Sequence, residues 1–198
     1  MMRIIFLFFI LLIGSLEATT QIAVLGDSLT KGHGLSPEDA FPAVLEELLK
    51  EKGYDVHVTN AGITGSTTSG GLERLQWVMK NHPKIVVLAL GVNDGLRGRP
   101  VATIKENLNE MIVYAKEHGA KVVLAGMRLP PSYGQEYRDE YAALFPALAK
   151  EHQITLIPFL LEGVAGIRAL NLADGIHPNE EGHKIMAKTV YIYVEPLL

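Results

Sequence analysis

Length, composition and charge narrow the classes of protein that this sequence can encode. The 198 residues are 48% hydrophobic, which is enough for one domain with a sizeable core. There are 18 Lys and Arg residues against 22 Asp and Glu, a formal charge of −4, and no long basic block. We therefore expect no nucleic-acid partner. The absence of cysteine excludes disulfides, thiolate metal sites and a cysteine nucleophile.

The first 18 residues have the pattern of an export signal. A basic start at Arg3 precedes the apolar run 4–14, and a small-residue segment ends at Ala18. The run is shorter than the roughly 18 to 20 residues that a membrane-spanning helix needs. The sequence thus predicts a signal peptide over 1–18 and one domain over 19–198, exported to the periplasm or secreted, with no stable membrane anchor after signal removal. An uncleaved anchor or a buried first strand is the alternative.

Short β-branched runs then alternate with longer amphipathic segments. The predicted strands are residues 22–26, 56–62, 84–91, 121–126 and 154–159. The helical patterns between them end at Gly53, Pro83 and Gly119, which are stop signals, and helical patterning returns before and after the last strand. This alternation predicts an open, mostly parallel five-stranded sheet with helices on both faces. Ligands bind such sheets at the carboxyl ends of the strands.

Ser28 follows the first predicted strand, in the stretch Gly26-Asp27-Ser28, where its side chain would face that edge of the sheet. Two phosphate-loop interpretations fail on the residues present, because Lys31 precedes Gly32 and Pro37 stands where a third glycine is required. Ser28 is then a candidate nucleophile. A turn residue or helix cap is the simpler alternative.

A serine nucleophile needs a histidine base and an acid that orients it. Four histidines lie in a strand pattern or close helices, where structural roles suffice: His57, His82, His118 and His152. His33 is close to Ser28 but is expected to have no acid at a useful position nearby, and His183 lies in the body of the last helix. His177 has Asp174 three residues earlier, in a loop rich in turn residues. A catalytic pair and a plain turn before a helix are equally consistent with this spacing. A metal site from Asp174, His177 and His183 is less attractive, because no His-Glu-x-x-His pair or other ligand cluster completes it.

Two further loops at strand ends contain residues suited to stabilise an oxyanion. Gly62 and Gly65 follow the second strand, where a backbone without Cβ can approach a ligand closely. Asn93 follows the third strand, and its side-chain amide is a donor. An asparagine in this position is otherwise a turn residue.

Taken together, four separated motifs resemble the SGNH, or GDSL-type, hydrolase family. They are Gly-Asp-Ser-Leu at 26–29, Asn-Ala-Gly-Ile-Thr-Gly at 60–65, Gly-Val-Asn-Asp at 91–94 and Asp-Gly-Ile-His-Pro-Asn at 174–179. The chain is similar above all to the bacterial periplasmic acyl thioesterase, lysophospholipase and arylesterase branch. The resemblance covers essentially the whole of 19–198 and implies a three-layer α/β/α sandwich of flavodoxin-like type.

The resemblance also implies the role of each site residue. Ser28 is the nucleophile, His177 the base and Asp174 its orienting acid. The oxyanion donors are the backbone of Ser28, the backbone of Gly65 and the amide of Asn93. Ser66 stands where the family often has aspartate, which changes the hydrogen bonding expected in that loop.

The implied reaction is hydrolysis of acyl esters or thioesters of small molecules through an acyl-enzyme. The segments 95–100 and 128–134 are expected to line the acyl pocket, with Leu129 and Pro130 in contact with substrate; turn-forming loops are the alternative. No cofactor and no metal are implied. Two other functions stay open at this point, a carbohydrate O-acetyl esterase and a non-catalytic binding module on the same fold.

Overall fold

A computed structural model describes residues 18–198 of the chain. The predicted signal peptide, apart from Ala18, lies outside the described residues. Among residues 18–198, no helix combines the length and apolar character needed to cross a membrane.

Five parallel strands form one sheet in the order β2-β1-β3-β4-β5. Their bounds are β1 Thr20–Gly26, β2 Val56–Gly62, β3 Ile85–Ala89, β4 Lys121–Ala125 and β5 Thr155–Ile157. Every residue of β3 is buried, as expected for a strand covered on both faces. This confirms the prediction of an open parallel sheet.

Helices follow the strands and cover the two faces of the sheet. They are α1 Ser28–Lys31, α2 Phe41–Glu51, α3 Gly71–Val78, α4 Val92–Leu96, α5 Val101–Glu117, α6 Gln135–His152 and α7 Glu180–Val194. The helices α2 and α7 pack against each other, and α5 packs against α3 and α6. Buried Leu, Ile, Val, Phe and Met side chains fill the space between these layers and the sheet. The three-layer α/β/α prediction is confirmed.

Two boundaries differ from the sequence prediction. The third helix ends at Val78 and continues only as a short 3-10 turn, because His82 has a left-handed backbone with φ of 49° before Pro83 is reached. The last strand is three residues long, since Pro158 follows Ile157 and proline cannot donate to a sheet ladder.

The registers place three strand ends at the same level. Gly26, the last residue of β1, pairs with Gly62 at the end of β2 and with Ala89 at the end of β3. The loops after β2 and β3 therefore lie on either side of the loop after β1. Residues far apart in the sequence meet at this edge.

Candidate active site

Ser28 is the first residue of the short helix α1, directly after β1. Asp27 caps this helix: its Oδ1 accepts a hydrogen bond from the N–H of Leu29 at 3.0 Å. The N–H of Ser28 belongs to the first helical turn, where backbone donors have no acceptor within the helix. Ser28 is 8% exposed, so its hydroxyl is sheltered and its position is fixed by the strand and the cap.

His177 lies between Ser28 and Asp174. Its Nε2 is 3.0 Å from Ser28 Oγ, and its Nδ1 is 2.7 Å from Asp174 Oδ2. An ionised carboxylate only accepts hydrogen bonds, so Nδ1 must hold the proton and Nε2 presents its lone pair to the serine hydroxyl. This is the tautomer that a general base for Ser28 requires.

The loop before α7 holds Asp174 and His177 in place. Asp174 Oδ1 accepts hydrogen bonds from the N–H groups of Ile176 and His177, each at 3.0 Å. A bridge between Asn171 and Pro178 closes the base of the loop. These bonds from the Asp174 side chain to the backbone form an Asx turn. The turn brings the carboxylate of Asp174 to the imidazole of His177, three residues later.

The surroundings of Asp174 favour its charged form. The hydrogen bond from His177 and the two backbone N–H groups hold the pKa of the Asp174 carboxyl well below its usual range. Asp174 is therefore a carboxylate at neutral pH. The side chain of His177 is 19% exposed, which leaves an edge of the imidazole open to water.

Gly62, the last residue of β2, and Gly65, in the loop after it, have different roles. A Cβ on Gly62 would lie 2.3 Å from the backbone nitrogen of Lys31, so this glycine permits close packing against α1. Gly65 has a φ of 77°, a conformation that L side chains rarely adopt, and its carbonyl accepts a hydrogen bond from Arg97. The structural demand on Gly62 is steric, which leaves Gly65 as the oxyanion candidate of this loop.

Asn93 lies in α4, directly after β3, and its Nδ2 donates to the carbonyl of Ser66 at 3.0 Å. An amide nitrogen has two hydrogens, so one remains for a substrate oxygen. The neighbouring Asp94 is buried and accepts from both the N–H and the hydroxyl of Thr68, at 2.8 and 2.9 Å. Asn93 and Asp94 thus both bind the segment that follows Gly65, at Ser66 and Thr68. These hydrogen bonds link the segment after β2 to the segment after β3.

A second acid, Asp27, directly precedes the nucleophile in the sequence. Asp27 is fully buried, and burial raises the pKa of its carboxyl to about 6, although the N–H of Leu29 and the charges of His177 and Arg74 favour ionisation. Arg74 donates to the carbonyls of Gly26 and Ala61. Among residues 18–198, neither Asp27 Oδ2 nor Arg74 Nη1 has a hydrogen-bond partner. The sequence prediction assigned no role to either residue.

Two histidines besides His177 lie near this edge. The ring centre of His33 is 4.4 Å from that of His177, with the planes tilted by 39°. A nitrogen of His33 lies within 4.8 Å of a carboxylate oxygen of Asp174, so the expectation that His33 has no acid nearby was wrong. His183 is 1% exposed, and its Nδ1 accepts from the N–H of Phe41 at 3.0 Å. Burial lowers the pKa of the His183 imidazole to about 4.

The predicted pocket residues differ in exposure. Leu129 is 5% exposed and belongs to the core, where it packs so closely against Gly95 that a Cβ there would lie 2.7 Å from Leu129 Cδ2. Pro130 is exposed beside it. In this structure, Leu129 supports the loop of Asn93 from beneath.

Several positioning residues were not foreseen from the sequence. They are Asp27, Thr68, Arg74 and Asp94. A signal was present for two of them, because Asp27 and Asp94 each follow a buried strand within a motif already singled out. Thr68 and Arg74 sit in segments with no pattern beyond that of an ordinary loop and helix.

The chain has close relatives among characterised proteins. It is 40% identical to Esterase TesA of Pseudomonas aeruginosa over 91% of this chain and 90% of that protein. It is 42% identical to the Arylesterase of Vibrio mimicus over 93% and 92%. Identity to Thioesterase 1/protease 1/lysophospholipase L1 of Escherichia coli K12 is 36% over 98% and 92%.

A solved structure and a family model agree with these relatives. The crystal structure of TesA superposes with a TM-score of 0.87 at 39% identity, covering 90% of this chain and all of that one. The model of the GDSL-like Lipase/Acylhydrolase family matches residues 24–185, which include Ser28, Asn93, Asp174 and His177. The chain belongs to the GDSL-like lipase/acylhydrolase family.

Proposed function

We propose that this protein is a serine esterase that hydrolyses carboxylic esters and thioesters of acyl substrates. The observation that supports this most directly is the line of contacts from Ser28 through His177 to Asp174, at 3.0 and 2.7 Å. A hydroxyl paired with a neutral imidazole, which is oriented by a carboxylate, is the arrangement that activates serine for acyl transfer.

The proposed mechanism has two acyl-transfer steps. The oxygen of Ser28 attacks the carbonyl carbon while its proton passes to Nε2 of His177, and the N–H of Ser28, the N–H of Gly65 and the amide of Asn93 stabilise the oxyanion. His177 then gives the proton to the departing alcohol or thiol, which leaves an acyl-enzyme. Water attacks the acyl-enzyme as His177 takes its proton, and collapse releases the acid as His177 returns a proton to Ser28 Oγ. Asp174 stabilises the imidazolium in both steps.

Apolar side chains beside the site support an acyl substrate. Ile63, in the loop of Gly65, is 54% exposed, and Ile176, between Asp174 and His177, is 64% exposed. Each of these residues belongs to a segment that supplies a proposed site residue, and exposed large apolar side chains are typical of a surface that binds a hydrocarbon chain. We therefore expect acyl chains longer than acetyl to be preferred.

The names of the relatives support the same substrate class. They are called Esterase TesA, Arylesterase and Thioesterase 1/protease 1/lysophospholipase L1. A carbohydrate O-acetyl esterase is not favoured by these relatives. The export pattern at the N-terminus supports a further proposal: the enzyme acts in the periplasm or outside the cell after cleavage following Ala18.

The test is a panel of p-nitrophenyl esters from acetate to palmitate, with palmitoyl-CoA as a thioester, on purified residues 19–198. We expect hydrolysis of both bond types and higher kcat/KM on medium or long chains than on acetate. The matched control is Ser28→Ala, which should remain folded and lose about 10³-fold or more of kcat. Near-normal kcat in Ser28→Ala would refute the nucleophile, and a sharp preference for acetate would refute the acyl class.

A further inference from the structure

His33, Asp174 and His177 form a cluster whose third member has no part in the acyl-transfer mechanism. One ligand atom from each side chain lies within 4.8 Å of the other two. Asp174 and His33 are exposed and His177 is partly so, which means that an ion from solvent can reach all three. Small movements of exposed side chains would bring three such atoms to the roughly 2 Å distances of metal coordination.

The donor types indicate which ions fit. Two imidazole nitrogens and one carboxylate oxygen suit Zn²⁺ and Cu²⁺, with water as the remaining ligand. Hard cations such as Mg²⁺ and Ca²⁺ prefer oxygen ligands and have only one protein oxygen donor in this set.

We propose that His33, Asp174 and His177 form an inhibitory site for a divalent transition metal ion, with Zn²⁺ as the reference ligand. The two nitrogens of His177 explain why binding inhibits. A metal on Nδ1 requires the tautomer whose proton is on Nε2, which then has no lone pair for Ser28, and a metal on Nε2 occupies that lone pair itself. In both cases the imidazole ceases to be a base.

A metal bound at this site would inhibit the enzyme, whereas a metal cofactor would support catalysis. The reason is that the metal and the reaction both need the imidazole of His177. His33 supplies the additional ligand that turns an Asp-His pair into a chelate. The proposal rests on the esterase function only for its inhibition readout, since metal binding is measured independently of turnover.

The first experiment measures Zn²⁺ binding by isothermal titration calorimetry without substrate, in wild type, His33→Gln and His57→Gln. His57 is the matched control because it also pairs with a carboxylate, Glu46, at 3.1 Å, on a different part of the surface. We expect one Zn²⁺ per chain at the site, with affinity lowered about tenfold or more in His33→Gln, since even outer-shell partners of metal ligands are worth about 10- to 100-fold. His57→Gln should bind like wild type. Equal affinity in wild type and His33→Gln would overturn the site.

The second experiment measures inhibition of ester hydrolysis, each variant relative to its own rate without metal. Zn²⁺ should inhibit wild type and His57→Gln at the same concentration, chelator should restore the rate, and His33→Gln should need about tenfold more metal. Mg²⁺ should not inhibit at comparable concentration. Equal inhibition by Mg²⁺, or unchanged sensitivity in His33→Gln, would refute the proposal. Zinc binding that fails while esters are hydrolysed overturns this inference alone and leaves the proposed function standing.

Discussion

Asp174 binds His177 through both of its carboxylate oxygens. Oδ2 accepts from the imidazole Nδ1 at 2.7 Å, and Oδ1 accepts from the backbone N–H of the same residue at 3.0 Å. The acid therefore fixes the ring and the peptide of its base together. A shift of this loop moves the two side chains as one unit, and the distance that changes is the one to Ser28.

Asp174→Asn should leave a folded enzyme with kcat lower by about 10⁴-fold. The asparagine Oδ1 can keep the backbone hydrogen bonds, which places its NH₂ group against Nδ1 of His177. The imidazole must then carry its proton on Nε2 and cannot accept one from Ser28. The measurement is kcat at pH 7 beside the melting temperature, with the exposed Glu181→Gln as control. Turnover near the wild-type value in Asp174→Asn would contradict the role assigned to this acid.

Asn93→Ala should lower kcat about 10²- to 10³-fold and leave KM nearly unchanged, because an oxyanion donor acts mainly in the transition state. The structure adds a second effect, since the hydrogen bond to Ser66 O is also lost and the melting temperature should fall. Asn107→Ala is the matched control: it removes an amide that donates to Thr68 in the same network. If both variants lose stability but only Asn93→Ala loses turnover, the oxyanion role holds. Equal turnover in the two variants would contradict it.

His183→Asn should remove part of the acid sensitivity of the fold. The pKa of His183 falls from 6.5 to about 4 on folding, so the unfolded chain binds the proton first and stability is lost as pH falls from about 6.5 to 4. The full effect is about 3 kcal/mol. Asparagine keeps an acceptor for the N–H of Phe41 and does not titrate. Urea unfolding at pH 4.5 and 7 measures this, and the exposed His82→Asn should behave like wild type.

Asp27→Asn should change the pH dependence in the opposite direction. The pKa of Asp27 is about 6 in the folded protein against 3.8 for an unperturbed aspartate, so the native state holds the proton longer and stability is lost as pH rises from about 4 to 6. The penalty is about 3 kcal/mol above pH 6. The asparagine keeps the cap on Leu29 and lacks the charge, so the variant should not show this loss. Identical slopes of unfolding free energy against pH in both proteins would refute it.

These two buried groups oppose each other between pH 4 and 6.5. Protonation of His183 in the unfolded state weakens the fold on acidification, whereas protonation of Asp27 in the folded state strengthens it. The wild-type curve should therefore be flatter than either single variant. The double variant, measured with the two single ones, checks whether the effects add.

The sheet and its functional edge could be predicted from the sequence, because buried strands and turns are each recognised from a short stretch of consecutive residues. Val56–Gly62 is a strand with the bounds predicted from its alternation, and parallel strands must end at a common edge. The contact of His33 with His177 has no local signal, since 144 positions separate the two residues and only the packing of α1's loop against the last loop brings them together.

Burial was the other property that residue patterns did not show. Asp27 has the pattern of a turn residue beside a nucleophile, yet it is fully buried in the fold, and burial raises the pKa of its carboxyl. Leu129 packs closely against Gly95 and is buried in the core, and its contact with substrate stays a prediction. Both depend on how elements meet, which a linear pattern does not contain.

The position of β1 between β2 and β3 also divides the protein into a fixed and a variable part. Ser28 follows β1, and the candidate donors Gly65 and Asn93 follow its neighbours β2 and β3. The distances among the three residues therefore depend on the hydrogen bonds that join these strands. The segment 130–134 after β4 lies outside that ladder. We propose 130–134 as the segment to vary when a new acyl selectivity is sought, because changes there leave the spacing of the reacting groups untouched.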